Sequence, residues 1–387
     1  MTGLPPGMAA TGGEAVAVPE DPRIGRPIAD LDTPVLLLDL DRFDRNAARL
    51  AGVIHAGGKA WRPHSKGHKS PWIAKRQAAL GAIGVTCAKV GEAEVMVEHG
   101  ITSVLVANEL ATPTKVTRLA RLLDRAEVMC CADDRGAVEL AASVGEAAGV
   151  EIPMLVDVNI GMDRTGVLPG RPGLELARAI DRATGARFAG IMGYEGHVLT
   201  LWPEEARARA TEESIAGLRE TAALIEADGI PVPIVSGAGS GNHVEASAIT
   251  GLTELQAGGA CFMDRFYGVE CHLVEQGFEY ALTVLTTVTS RPAADRVITD
   301  AGFKTLSTRD EMPSLVMDHE ELALIYLSAE HGSWRVTGDG PPLAIGDQLQ
   351  LLPDYHDTTT FRHDEMVGTR AGVVERIIPL LARGRLT

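Results

Sequence analysis

The chain has 387 residues and a net charge of −16, with 36 Lys and Arg against 52 Asp and Glu. That length allows two domains or one large barrel with an appendage, and the dispersed negative charge argues against nucleic-acid or anionic-membrane binding as the main task. No stretch approaches the ~18 unbroken apolar residues of a spanning helix, the N-terminus lacks the pattern of a signal peptide, and the odd set Cys87, Cys130, Cys131, Cys261 and Cys271 reads as reduced core residues. A cytoplasmic location is the expectation.

Residues 1–27 are rich in Gly, Pro and Ala and are expected to be a mobile arm. An apolar run follows at 34–39. Asp41 can then cap a helix that places Phe43, Ala47, Leu50 and Ile54 on one face, and Gly57 and Gly58 close it. Eight strands are predicted near 59–63, 83–87, 103–106, 127–131, 153–158, 188–192, 232–235 and 253–256. The helices between them are well punctuated: Thr112-Pro113 opens one, and Gly100, Gly149 and Gly229 close others. A long helix spans 203–228, with Glu/Arg pairs on its outer face. Eight strands alternating with helices predict a (β/α)8 TIM barrel over residues 28–270 rather than a doubly wound sheet, which would want a glycine-rich crossover near its start. From 271 to 387 the pattern changes. Strands near 281–289, 296–300, 322–328, 347–352 and 373–378, with hardly any helix, predict an all-β domain that can also recruit the leading strand.

The unusual polar residues follow the strands. His64 and Lys66 follow the first, Lys89 and Glu92 the second, and Asn108 and Glu109 the third. Arg164 lies beyond the fifth, and Tyr194, Glu195 and His197 beyond the sixth. The loop Ser236–Gly241 follows the seventh strand, and Gly258 and Gly259 the eighth. In a (β/α) barrel these ends share one face. Small residues let backbone amides approach an anion, and the loop after strand seven is where barrels often hold phosphate. In Arg62–Lys69, two lysines and two histidines crowd one strand end, an arrangement expected to lower a lysine's preference for charge and free its amine as a Schiff-base nucleophile. A solvated basic turn is the plain alternative. A Schiff-base lysine with a phosphate cradle opposite suggests pyridoxal 5'-phosphate.

Six motifs then recur in order: His64-x-Lys66-x-His68-Lys69, Ala88 to Glu94, Asp163-Arg164-Thr165-Gly166-Val167, Gly193-Tyr194-Glu195-Gly196-His197, Ser236-Gly237-x-Gly239 and Asp300-Ala301-Gly302-x-Lys304. Glu330-His331-Gly332 follows. With these the chain resembles the D-threonine aldolase, D-serine dehydratase and 3-hydroxyaspartate aldolase family. These are pyridoxal-phosphate enzymes of the alanine-racemase fold (fold type III), usually homodimeric. The resemblance covers nearly everything after residue 30. It implies that Lys66, with Lys69 as second choice, carries the cofactor. It implies that Arg164 contacts the cofactor, that Tyr194 and His197 line the substrate side beside His64, and that Ser236, Gly237, Gly239, Gly258 and Gly259 hold phosphate.

The family's β domain carries a His-x-Cys or His-x-Asp pair for a divalent metal such as Mn, Mg or Zn. An ungapped register here puts Tyr355 at the histidine's place and keeps Asp357; a one-residue slip would use His356 and lose the acid to Thr358. Either His356 and Asp357 form a rebuilt metal site, or Tyr355 stands in for the metal near the substrate hydroxyl. A second departure is that Gly258-Gly259-Ala260 lacks a hydroxyl residue expected there. The resemblance implies retro-aldol cleavage of a β-hydroxy amino acid, D-configured in the family's pattern, to glycine and an aldehyde. Dehydration and metal-free racemisation or epimerisation are the alternatives, and a non-catalytic carrier is the reading from another class. An acidic substrate would need a cation, for which Arg265, Lys304 and Arg362 are candidates.

Overall fold

The computed structural model describes residues 21–307, 315–338 and 343–387. The leading strand β1 (Val35–Asp39) runs into helix α1 (Leu40–Ala56), capped by Asp39 rather than by the expected Asp41: the Asp39 side chain accepts the Arg42 amide at 3.0 Å. Phe43, Ala47, Leu50 and Ile54 are all fully buried, as their spacing on one face requires. Seven further strand–helix units follow. They are β2 (Ala60–Trp61) with α2 (Pro71–Ala78), β3 (Val85–Cys87) with α3 (Val90–Glu98), β4 (Ser103–Glu109) with α4 (Pro113–Ala120), and β5 (Glu127–Ala132) with α5 (Arg135–Ala148). Then come β6 (Ile152–Asp157) with α6 (Arg171–Asp181), β7 (Ala186–Met192) with α7 (Glu204–Ala227), and β8 (Ile234–Gly237) with α8 (His243–Ala248), before β9 (Glu254–Leu255).

These eight strands pair in parallel in the order β2-β9-β8-β7-β6-β5-β4-β3. Parallel bridges between Trp61 and Ala82 and between His64 and Thr86 join the two ends, so the barrel closes. Strands buried on both faces carry Val, Leu, Ile and Cys, which is why they read as short continuous apolar runs. All five cysteines are buried and none is in a disulfide.

The second sheet holds β10 (Leu282–Ala293), β11 (Arg296–Thr299), β12 (Leu315–Val316), β13 (Leu322–Leu327), β14 (Gly332–Val336), β15 (Gln348–Leu352), β16 (Glu365–Arg370) and β17 (Val373–Pro379). Its strands run in the order β13-β14-β11-β10-β1-β16-β17, with β15 against β10 and β12. The leading strand therefore belongs to this sheet, antiparallel to β10 and parallel to β16. One short helix, α9 (His356–Thr360), interrupts the strands.

Most of the expected mobile arm, 1–20, lies outside the described residues. Residues 21–27 are not free: the Gly25 amide donates to Val374 O at 2.8 Å, Pro27 bridges Val373, and Arg23 pairs with Asp21 and Glu365. Gly, Pro and Ala give a chain no amphipathic signal, but its backbone can still dock on a sheet edge.

Candidate active site

A cavity of about 300 Å³ opens at the C-terminal ends of the barrel strands. It is at the small end of the range for small-molecule sites. His64, Lys66, Arg164, Tyr194, Gly239, Gly258, Gly259, His356 and Asp357 line it, so the barrel does bring most of the expected residues to one place.

The two lysines of the Arg62–Lys69 run part company. Lys66 faces the cavity, with Nζ 3.4 Å from Asp357 Oδ2. Lys69 adopts a left-handed backbone (φ +54°) and turns its ammonium into an ion pair with fully buried Glu92, away from the cavity lining. The expectation that crowding would lower the cavity lysine's preference for charge is corrected here. Asp357 holds the Lys66 ammonium above its ordinary range; burial lowers Lys69 instead. The cationic neighbours visible in the sequence are outweighed by a carboxylate from the other sheet. His64 accepts the Lys66 amide at Nδ1, 3.2 Å away, and burial with the nearby Lys66 charge keeps its ring neutral.

The glycine loop after β8 is shaped from below. Burial raises Glu195, whose carboxylate accepts Asn242 Nδ2 at 2.6 Å and the Ala238 amide at 3.4 Å. Asn242 Oδ1 in turn accepts the Gly239 amide at 3.0 Å, and Ser240 Oγ accepts the Ala260 amide at 3.0 Å. A Cβ at Gly239 would stand 3.2 Å from the Tyr194 ring, and one at Gly258 would stand 2.8 Å from the His64 carbonyl oxygen. Ser240 and Gly259 begin short 3-10 turns, where the first amides have no acceptor within the turn. Ser236 and Gly237, expected at the phosphate, are absent from the lining. They end β8 behind the loop, where Ser236 Oγ accepts Gln256 Nε2 at 3.0 Å. The strand continues two residues further than periodicity suggests, which shifts the cradle to Ala238–Ser240.

The hydroxyl that seemed missing after β9 comes from elsewhere. Tyr267 lines the cavity, and a Cβ at Gly259 would stand only 2.7 Å from its oxygen. Tyr267 sits in a turn with no periodic signal. Glu109, noted at a strand end, and Asp157, which was not, form a hydrogen-bonded carboxyl pair in the cavity; Thr165 donates to Asp157 at 2.7 Å. Burial, then the Asp157 charge, pushes Glu109 up to about 7. Asp157 was legible as one more acid ending a barrel strand. Arg164 lies over the Tyr194 ring, 5.5 Å from its centroid, and burial raises the Tyr194 phenol. His197 is exposed beside Gly161 and outside the lining. Of the three cations proposed for an acidic side chain, Arg265 pairs with Asp354 and Glu270, Lys304 pairs with Glu330 and Arg362 covers Phe303; none lines the cavity.

The second sheet supplies the remaining wall through the turn 355–357. Tyr355 donates its hydroxyl to Asp357 Oδ2 at 3.0 Å and stands behind it, outside the lining. His356 is fully buried; its Nδ1 donates to Asp264 Oδ2 at 2.6 Å and its Nε2 stands 3.1 Å from Asp357 Oδ1. Burial raises Asp357, but Lys66, His356 and the Tyr355 hydroxyl together outweigh it and hold the carboxyl down at about 2. Among the described residues, no three His, Cys, Asp or Glu side chains gather as a metal-holding group. The expected metal pair His356 and Asp357 is thus not assembled as one: both ring nitrogens of His356 are engaged with carboxylates.

Pyridoxal phosphate suits the rest of the cavity. A lysine faces it, and two glycine segments leave a cradle that a Cβ at Gly239, Gly258 or Gly259 would fill.

A closed barrel with its polar residues at the strand ends, continued by a sheet that lends the site a wall, is the architecture of alanine-racemase-like proteins. The family model described as "Alanine racemase, N-terminal domain" matches residues 38–266, and one described as "Putative serine dehydratase domain" matches 281–369; the chain belongs to this family. Among curated relatives, D-threonine aldolase of Arthrobacter sp. is 37% identical over 95% of this chain and 97% of its own. The 3-hydroxy-D-aspartate aldolase of Paracoccus denitrificans is 35% identical over 93% and 94%. The crystal structure of D-threonine aldolase from Filomicrobium marinum superposes with a TM-score of 0.90 at 36% identity, covering 94% of this chain and 99% of that one.

Proposed function

We propose that the chain is a pyridoxal-phosphate-dependent lyase that cleaves a D-configured β-hydroxy amino acid to glycine and an aldehyde. The single observation that supports it most is the cavity in which Lys66 faces a glycine-lined loop across the barrel mouth, in a chain closely related to two proteins named as such aldolases. When bound, the cofactor supplies an electron sink for the bond that breaks at Cα. Lys66 would carry it. The amides around Gly239, Ser240, Gly258 and Gly259 would hold its phosphate, with Ser236 and Gly237 bracing the loop from behind. Arg164 and Tyr194 would fix its ring. His64, kept neutral, would orient the Lys66 backbone.

Among the described residues, no helix is long and apolar enough to cross a membrane. The finer expectations of a cytoplasmic, homodimeric protein remain part of this proposal. The exposed apolar residues Leu201, Trp202, Val269 and Val274 support the dimer; they lie on two segments that meet where Trp202 stacks on His272 at 3.9 Å.

The test is to load purified protein with pyridoxal phosphate, supply D-threonine and D-3-hydroxyaspartate, and quantify glycine. Glycine formation, with Lys66→Ala lowering it at least about 1000-fold and abolishing the protein-bound cofactor's visible absorbance, is expected. Keto acid in place of glycine would mean elimination, and the opposite α-enantiomer would mean racemisation; either overturns the proposal.

A further inference from the structure

The family resemblance implies a divalent metal beside the substrate hydroxyl, and the residues here do not fit one. Asp357 is the one acid retained. Its Oδ2 accepts the Tyr355 hydroxyl at 3.0 Å and lies 3.4 Å from the Lys66 ammonium, and its Oδ1 lies 3.1 Å from His356 Nε2. These three contacts leave the carboxylate one acceptor site, enough for a hydroxyl but too few protein ligands to hold a divalent metal. His356 cannot turn to help. Asp264 accepts its backbone amide at 2.7 Å and its Nδ1–H at 2.6 Å, and its ring stacks on Phe262 at 5.3 Å between centroids. In the ungapped register, Tyr355 falls at the place that the resemblance gives to the family's metal histidine. A neutral phenol that donates to the neighbouring carboxylate is a poor ligand for a hard cation, which wants carboxylate, imidazole or free carbonyl oxygen.

We infer that the Tyr355–Asp357 pair replaces the metal: the Asp357 carboxylate, oriented by the Tyr355 hydroxyl, recognises the substrate's β-hydroxyl and takes its proton, so that cleavage needs no divalent cation. This rests on the lyase reading above. Asp357 reaches the cavity and Tyr355 braces it from behind, so Asp357 is the group that touches substrate and Tyr355 is a positioning residue. The β-oxygen's proton passes to the Asp357 carboxylate, the Cα–Cβ bond breaks with its electron pair left on Cα, and the β-carbon leaves as the aldehyde. A proton returned to Cα completes glycine, so atoms and charge balance with no added reagent.

The test joins a binding measurement to kinetics. Mn²⁺ is titrated calorimetrically into cofactor-loaded wild type, Tyr355→Phe and Tyr355→His after chelator treatment, and glycine release is followed with and without chelator. The expectation is no saturable Mn²⁺ binding and chelator-insensitive release in wild type, and a fall in kcat of about 100-fold with little change in KM for Tyr355→Phe. Tyr355→His, which restores the family's pair, is expected to gain one Mn²⁺ site and a dependence on it. A structural role alone would not confer that gain. Stoichiometric Mn²⁺ binding by wild type with chelator-sensitive release, or Tyr355→Phe at wild-type kcat, would overturn the inference. If no substrate is cleaved under any condition, the lyase reading fails. Calorimetry then still decides the metal half: one Mn²⁺ site in wild type overturns it, and none with a gained site in Tyr355→His upholds it.

Discussion

Lys66 was legible as the polar residue that ends the first barrel strand; its charge state was not. The sequence displays the cations around it, whereas Asp357, the group that sets its charge, lies far along the chain in the second sheet. The same blindness hid the Glu109–Asp157 pair, since two carboxyls at the ends of β4 and β6, with β5 between them, look like two solvated acids until the barrel's curvature brings them together. Their pairing carries a stability consequence. A carboxyl whose folded pKa is raised by burial keeps its proton after the unfolded chain has lost it. Folding stability is therefore undiminished below the ordinary value of 4.5 and falls as pH rises from there to about 7. Glu109→Gln removes the titration. We expect the variant to show a flatter stability profile between those limits and to be more stable than wild type at pH 8 by on the order of 1 kcal/mol, allowing for solvent screening of a half-buried group. Urea unfolding of the two cofactor-free proteins across pH checks this; parallel profiles would count against it.

At the scale of elements, the barrel strands were readable because most are compact apolar runs and a helix follows all but the last. The strands β14 and β16 were missed. Gly332-Ser333-Trp334-Arg335-Val336 and Glu365-Met366-Val367-Gly368-Thr369-Arg370 lack a clean alternation, and their neighbours in the sheet decide their conformation. Strands β2 and β9 are only two residues each, and a buried ion pair reinforces their junction. Arg62 Nε lies 3.0 Å from Glu254 Oε1, and Arg62 Nη1 donates to Ser103 Oγ at 2.8 Å. Removing one partner leaves an uncompensated buried charge. Glu254→Ala is therefore expected to cost about 3–5 kcal/mol, while the double change Arg62→Met with Glu254→Leu should recover most of it. Urea midpoints of the three proteins measure the difference; equal destabilisation in the single and double variants would refute this account.

For the molecule as a whole, the turn 66–69 is where barrel and second sheet meet. A Cβ on Gly67 would stand 2.5 Å from His356 Nε2, His68 stacks on Phe262 at 5.7 Å, and the Lys69 carbonyl accepts the Ala382 amide at 2.9 Å. In the proposed reading the barrel loops hold the cofactor, while the second sheet's share of the lining is His356 and Asp357, within residues 353–363. A chimera carrying a relative's residues 353–363 should thus keep the cofactor's absorbance while its aldehyde preference and metal requirement change; loss of the absorbance would show that the two walls cannot be separated.

The glycine at 67 gives this arrangement a further meaning. Only a hydrogen stands between the turn that carries Lys66 and the second sheet, so any side chain at 67 would press on His356 and Asp357, and a change on one side of that contact is felt on the other.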